Sequence, residues 1–115
     1  MPQLHEAVIV DTVRTPIGKR KGALATWHPA DLLGFTLKAL LDRNEVDPGR
    51  IDDVVGGCVN QVGEQSNNIA RNAWIGAGLP WHVLATSVDR QCGSSQQVVH
   101  FVAQAVMAGS YDVSI

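Results

Sequence analysis

The chain has 115 residues with a formal net charge of −2, and 45% of its residues are hydrophobic against 17% charged. This composition is typical of one packed globular domain and excludes an intrinsically disordered protein. The small negative charge attracts neither nucleic-acid phosphates nor an anionic membrane, and no apolar run is long enough to span a bilayer.

The first half of the chain predicts a strand, a helix and a second strand. Residues 7–11 are a short β-branched run that leads into a polar, glycine-containing loop over residues 14–22. From Pro29, leucines recur at three- and four-residue steps, which predicts a helix that ends before Asp47. Residues 54–59 form a continuous apolar run, which predicts a strand covered on both faces, and its glycines indicate that another backbone passes close.

The second half continues the alternation. Ser66 or Asn67 can cap a helix that runs to about Ala77, and residues 84–88 predict a third strand. Residues 93–109 predict a helix that is apolar almost all round, which is typical of a buried helix. The last four residues, 112–115, begin a fourth strand.

The alternation of strands and helices predicts an α/β domain with a largely parallel sheet, in which each crossover helix covers a face. The last strand is cut short, and the apolar helix needs more cover than three strands and two other helices provide. We therefore expect a longer polypeptide, or a second chain, to complete the domain.

The two cysteines, Cys58 and Cys92, lie far apart and form neither a CxxC pair nor a metal-type spacing. The N-terminus lacks the pattern of a secretory signal, so we expect a cytoplasmic protein without a disulfide framework and without a metal site. Cys58 follows two glycines in a predicted buried strand, where apolar surroundings favour a packing role over a chemical one.

Cys92 lies where a predicted strand meets the first turn of a predicted helix. The first N–H groups of a helix lack intrahelical partners and carry partial positive charge, which favours a sulfur there as the thiolate. A thiolate attacks thioesters readily, and the N–H of Cys92 itself can donate to the oxyanion that forms. Most free cysteines are nevertheless small buried hydrophobes, and the helix-start argument alone leaves that alternative open.

Three motifs, in order along the chain, resemble the thiolase family. Val-Asp-Arg-Gln-Cys-Gly-Ser-Ser-Gln-Gln at 88–97 resembles the active-site signature of that family. Val-Arg-Thr-Pro-Ile-Gly-Lys at 13–19 resembles its opening stretch, and residues 57–65 with Asn-Ile-Ala-Arg at 68–71 resemble its Gly-x-Val-x-Gln-x-Gly-x-Gln-Asn-x-Ala-Arg block. The versions found here are most similar to degradative thiolases of actinobacterial type, including those that act on sterol-derived acyl groups.

The resemblance implies that residues 1–115 are the N-terminal part of a thiolase N-domain, with a layered α-β-α fold and a mostly parallel mixed sheet. It implies an acyltransferase of lipid and fatty-acid degradation, in which Cys92 becomes the acyl-thioester nucleophile during thiolysis of a 3-ketoacyl-CoA or the reverse condensation. Coenzyme A is then a co-substrate, with no tightly bound cofactor, and the protein is a homodimer or homotetramer. The family's activating histidine, its second cysteine and most of its CoA-binding loops lie in later sequence.

The remaining polar residues have weaker signals. His100 is eight residues from Cys92, roughly 12 Å along a helix, which excludes it as the base. A solvated loop or a helix cap explains the other histidines and the basic run: His5, His28, His82 and residues 19–21. In the family, the polar block of Gln61, Glu64, Gln65 and Asn68 lies near the active site and a subunit contact.

Two other functions stay open. A non-catalytic thiolase-like scaffold retains the fold and the cysteine as a partner subunit. A thiol redox module uses Cys92 as a reactive thiol, and it requires a resolving thiol within reach, for which no motif links Cys58 to Cys92.

Overall fold

The structure is a computed structural model that describes residues 3–115. Within that range, two strands, β1 (Asp53–Gly57) and β2 (Leu84–Val88), alternate with the helices α1 (Pro29–Arg43), α2 (Ile69–Gly76) and α3 (Ser94–Met107). Short 3₁₀ turns at Pro48–Arg50 and Gly63–Gln65 precede β1 and α2. The predicted α/β order is confirmed from residue 29 onward, and the bounds of β2 are those predicted.

β1 and β2 are parallel and in register from the pair Asp53 and Leu84 to the pair Gly57 and Val88. The end of the chain lies along the other side of β1, where the Val55 N–H donates to the Ile115 carbonyl at 2.9 Å. The predicted fourth strand is present there only as one parallel bridge, between Asp53 and Ser114.

The carboxylate of Asp52 holds this last segment in place. It accepts hydrogen bonds from the backbone N–H groups of Asp112 at 2.7 Å and Val113 at 3.0 Å. These two bonds, with that from Val113 the stronger influence, hold the pKa of Asp52 below its ordinary value.

One face of the sheet is covered by α1 and α2. Ala70, Ala73 and Trp74 on α2 are fully buried, and Leu37 and Leu41 on α1 are nearly so. The two helices approach closely because α1 places Gly34 at the contact, where an added Cβ would lie 2.7 Å from the Ala73 carbonyl oxygen. This face holds the core of the chain.

The caps of these helices correct one prediction and confirm another. Asn68, and not Ser66 or Asn67, caps α2, because its side-chain oxygen accepts the Arg71 N–H at 3.3 Å whereas the Ser66 hydroxyl donates back to Gly63. His28 caps α1 through Nδ1, which accepts the Ala30 N–H at 3.2 Å. Both side chains satisfy N–H groups that a helix leaves unpaired.

α3 lies on the opposite face and is not the buried helix that its composition predicts. Only Ser94 and Gln97 are buried along it, whereas Val99 and Phe101 are 52% and 47% exposed. Some of its apolar residues face the sheet and others face away from it. Among residues 3–115 no element packs on the side that faces away from the sheet. The helix itself is confirmed, and within residues 3–115 it is only partly buried, because, as expected, the other strands and helices do not cover all of its apolar surface.

The predicted first strand, residues 7–11, is also absent as a strand. These residues are irregular, and Val8, Ile9 and Val10 are 69% to 82% exposed. A strand needs a neighbouring backbone for its hydrogen bonds, and no other backbone within the described range pairs with this run. Composition selected the right residue types for a strand but does not supply a partner.

Two adjacent glycines let the helices reach the sheet from opposite sides. A Cβ added to Gly56 would lie 2.9 Å from the Cβ of Ala70 on α2, and one added to Gly57 would lie 2.5 Å from the backbone nitrogen of Ser95 on α3. The close backbone approach predicted from these glycines is confirmed, and the result is a layered α-β-α arrangement. Within residues 3–115, no helix has both the length and the apolarity needed to cross a membrane.

Candidate active site

The turn that joins β2 to α3 carries Cys92. The Gly93 N–H donates to the Arg90 carbonyl at 3.0 Å, which closes the turn, and Gly93 is the N-cap of α3. Cys92 is exposed and lies at the end of the sheet where both parallel strands finish. In α/β sheets this carboxyl edge is where ligands bind. The predicted position of Cys92, at a strand-to-helix junction, is confirmed.

The residue before the nucleophile candidate has a strained backbone. Gln91 has a φ of +51°, in the left-handed region that side chains with a Cβ seldom adopt. Its N–H donates to the side-chain oxygen of Asp89 at 2.8 Å, which helps to hold this conformation. Such strain persists only where surrounding contacts fix it, and it is frequent at functional sites.

Two buried polar side chains of α3 contact the turn from behind. The Ser94 hydroxyl accepts the Arg90 N–H at 3.0 Å and donates to the Gln91 carbonyl at 2.7 Å. The guanidinium of Arg90 donates to the side-chain oxygen of Gln97 one helical turn further on. The sequence predicted Ser94 only as a small residue beside Cys92, and it did not predict Gln97 or the hydrogen bonds of either side chain to the turn.

The backbone of Cys92 retains an unused donor. Within the described range its N–H donates to no acceptor, whereas the N–H groups of Gln91 and Gly93 on either side are both bonded. A free N–H on the nucleophile itself is the geometry expected of an oxyanion donor. The structure therefore places a thiol and an unpaired donor on one exposed residue.

A shallow groove of about 280 Å³ adjoins the turn. It is lined by Arg90, Gly93, Gln96, Gln97 and His100. His100 lines this groove but makes no hydrogen bond to Cys92 among the described residues. In residues 3–115, no group of three or more His, Cys, Asp or Glu side chains is arranged to hold a metal ion.

Cys58 lies one residue beyond β1 and is half-buried, so its predicted place inside a buried strand was wrong. Its N–H still donates to the Val88 carbonyl at 2.9 Å, which continues the pairing with β2 past the last paired residues. Its sulfur lies 3.7 Å from the Asn60 carbonyl oxygen. Within the described range Cys58 and Cys92 are both free cysteines, and no disulfide joins them.

The polar block after β1 supports loops and the start of α2. The side-chain amides of Gln61 and Gln65 donate to the carbonyls of Cys58 at 3.1 Å and Asn60 at 2.8 Å. Asn68 joins α2 to β2, because it donates to the Ala85 carbonyl and accepts from the Ser87 hydroxyl. Among residues 3–115, none of these side chains is hydrogen-bonded to the turn that carries Cys92, so their predicted proximity to an active site stays a prediction.

Comparison with known proteins gives one consistent result. Residues 7–115 match the family model described as the N-terminal domain of thiolase. The chain is 53% identical over 112 residues to a steroid 3-ketoacyl-CoA thiolase of Mycobacterium tuberculosis, covering 97% of this chain and 28% of that protein. It is 46% identical over 114 residues to a 3-ketoacyl-CoA thiolase of Aliivibrio salmonicida, covering 97% of this chain and 30% of the relative.

The fold has a close structural counterpart as well. A crystal structure of an acetyl-CoA acetyltransferase of Bacillus anthracis superimposes with a TM-score of 0.88 at 33% sequence identity. The match covers 96% of this chain and 28% of that one. The chain thus spans less than a third of the length of the proteins that it resembles.

Proposed function

The chain belongs to the thiolase family, and from that premise we propose that its protein is an acyltransferase that cleaves 3-ketoacyl-CoA into acetyl-CoA and a shortened acyl-CoA. Run backwards, the same steps condense two acyl units. Residues 1–115 are on this proposal the opening part of the N-terminal domain. The observation that carries it is the exposed Cys92 on a strained turn at the carboxyl edge of the sheet.

In the proposed reaction the Cys92 thiolate attacks the 3-keto carbonyl carbon. The carbon–carbon bond next to that carbonyl breaks, and the leaving acetyl-CoA carbanion takes up a proton. The acyl group stays on the sulfur as a thioester until the thiol of a second CoA attacks it, which forms the shortened acyl-CoA and frees Cys92. The unpaired Cys92 N–H is one donor available to the oxyanion in both attacks.

The substrate class follows from the same premise. We propose coenzyme A and its acyl thioesters as the substrates, with no tightly bound cofactor, in a cytoplasmic homodimer or homotetramer. The relative from Mycobacterium tuberculosis is named for steroid substrates, and its 53% identity supports a steroid-derived 3-ketoacyl-CoA as a candidate substrate here. Comparing kcat/KM for steroid-derived and short linear 3-ketoacyl-CoA thioesters tests this choice.

Acyl transfer to Cys92 can be measured directly. We expect the full-length protein to gain one acetyl group on incubation with acetoacetyl-CoA and without free CoA, and peptide mass spectrometry to locate it on Cys92. The Cys58→Ala protein is the matched control and keeps the adduct, whereas Cys92→Ala loses it. A folded wild-type protein that takes up no acyl group, or that carries the group on Cys58, would exclude the proposed mechanism and favour a scaffold.

A further inference from the structure

The position of the Cys92 sulfur depends on the residues around it. Cys92 forms no backbone N–H bond of its own within the described range, and the residue before it is held at a φ of +51°. A turn of this kind relaxes to a commoner conformation unless other contacts fix it. The contacts that fix this turn therefore determine where the nucleophile lies.

Ser94 forms two of those contacts with one atom. Its hydroxyl accepts from the Arg90 N–H and donates to the Gln91 carbonyl, so it joins the residue two positions before Cys92 to the residue directly before it. The side chain is 5% exposed, so water does not replace it. As the first residue of α3, Ser94 is itself fixed by the helix.

The hydroxyl does not serve as an ordinary helix cap. A capping side chain accepts a hydrogen bond from an N–H one or two residues into the helix, whereas Gly93 occupies the N-cap here and provides no side chain. The Ser94 hydroxyl is directed backwards, out of α3 and onto the turn. Its two partners are both groups of the turn, so the bonds stabilise the turn and not the helix end.

Gln97 adds a second point of attachment. It is 8% exposed and accepts from the Arg90 guanidinium, so the backbone of Arg90 is held by Ser94 and its side chain is held by Gln97.

We propose that Ser94 is a positioning residue for acyl transfer, whose hydroxyl holds the turn so that the Cys92 sulfur stays in position to attack the substrate carbonyl. The catalytic part of this inference rests on the proposed function.

The kinetic test compares three variants of the full-length protein. Since a displacement of about 1 Å costs up to ~100-fold in rate, we expect Ser94→Ala to lower kcat by about 10- to 100-fold. KM should change little, because a contact that only positions the reacting sulfur affects the chemical step more than substrate binding. Ser94→Thr keeps the hydroxyl and should restore most of kcat. Ser110→Ala, an exposed serine in the turn after α3, is the control and should behave as wild type.

A second readout does not depend on acyl transfer. Iodoacetamide alkylates exposed thiols. The ratio of labelling at Cys92 to labelling at Cys58 measures how reactive the Cys92 sulfur is, with Cys58 in the same molecule as the internal reference. We expect this ratio to change severalfold in Ser94→Ala and to return in Ser94→Thr, because the hydroxyl that fixes the turn around the exposed Cys92 is lost while the surroundings of Cys58 stay the same. A general loss of structure alters both cysteines and does not give this pattern.

The outcomes separate the two proposals. If Ser94→Ala keeps the wild-type kcat and labelling ratio, the positioning role is wrong. It is also wrong if kcat falls with an unchanged labelling ratio and no recovery in Ser94→Thr, which would indicate a structural role alone. If the wild-type protein transfers no acyl group but the labelling ratio follows the hydroxyl, the proposed function fails while Ser94 still holds the turn.

Discussion

The two faces of the sheet are held by different kinds of contact. On the α1 and α2 face, Trp74 and its neighbours are fully buried and contribute through apolar packing. On the α3 face, the two buried residues of the helix are polar, and both bind the turn that precedes it. Apolar packing is strong but tolerates small shifts, whereas hydrogen bonds fix distances and directions. The face that stabilises the chain is thus separate from the face that positions Cys92.

The α3 face is also open. Beyond its first turns, α3 and the sheet enclose a cleft of about 230 Å³ that Val55, Thr86, Phe101 and Tyr111 help to line. At Gly57, beneath the start of α3, the helix approaches the sheet closely. The end of α3 that carries the candidate site is thus held against the sheet, whereas an open cleft lies beyond it. The following predictions test this difference between the faces.

The largest loss of stability is expected on the packed face. Trp74→Ala removes a fully buried indole whose N–H donates to the Pro80 carbonyl at 2.7 Å. The free energy of unfolding in urea should fall by about 3–5 kcal/mol. Trp81→Ala is the control, because that side chain is 78% exposed and should cost little. Equal losses for the two tryptophans would contradict the assignment of the core to this face.

A smaller loss of stability with a disproportionate loss of activity is expected at Gly57. Its new Cβ in Gly57→Ala would lie 2.5 Å from the Ser95 nitrogen, so the start of α3 must move. We expect unfolding to become easier by about 1–3 kcal/mol. Acyl transfer should fall about 100-fold, since the turn with Cys92 moves as well.

Gly76→Ala provides the matched control for Gly57→Ala. Gly76 is the last residue of α2, and an added Cβ there meets no atom within 4 Å. Alanine should leave activity unchanged and stabilise slightly, by up to about 1 kcal/mol. Unchanged acyl transfer in Gly57→Ala would show that α3 adapts without moving Cys92, and the distinction between the faces would weaken.

The open cleft between α3 and the sheet should be the least sensitive apolar region. Phe101 is 47% exposed, so Phe101→Ala should lower the free energy of unfolding by about 1 kcal/mol, roughly half of the effect of full burial. Urea denaturation beside Trp74→Ala measures the difference. A loss near the ~3–5 kcal/mol of a fully buried aromatic residue would show that this helix is covered in the intact protein.

Local pattern predicted the elements that local forces determine. The leucine spacing predicted α1, the apolar run at residues 54–59 predicted β1, residues 84–88 predicted β2, and the junction between β2 and α3 located Cys92 correctly. Helical periodicity and strand composition are properties of neighbouring residues, so a single sequence contains them. The two glycines at the end of β1 also indicated a close approach of other backbone, which the structure confirms.

The errors concern partners distant in sequence. Residues 7–11 have strand composition but no paired backbone in the described range, and α3 has buried-helix composition but one open side. The part played by Ser94 was also missed, because its effect depends on a hydroxyl directed backwards onto a left-handed residue. Periodicity gives neither the direction of a side chain nor the φ of Gln91.

The smallest expected effect concerns the segment before α1 and depends on pH. Asp11 is bound by Arg43 at the end of α1, with side-chain contacts of 2.7 and 2.8 Å. Arg43, and then Asn44, lower the pKa of Asp11 from 3.8 to about 2. A lowered folded-state pKa means that the attachment is complete above pH 3.8 and is lost as the pH falls through about 2.

An NMR titration of the Asp11 carboxyl carbon measures this pKa. Arg43→Met should return it towards 3.8, because the ion pair and its hydrogen bonds are removed together. Lys38→Met is the control, since it breaks the other exposed ion pair of α1, that with Asp42, and should leave the titration of Asp11 unchanged. The cost to overall stability should be small, because the pair is partly exposed to solvent and joins an otherwise open segment to the packed face. An Asp11 that titrates near 3.8 in the wild-type protein would show that residues 7–11 are not attached to α1, and the packed face would then end at the helix.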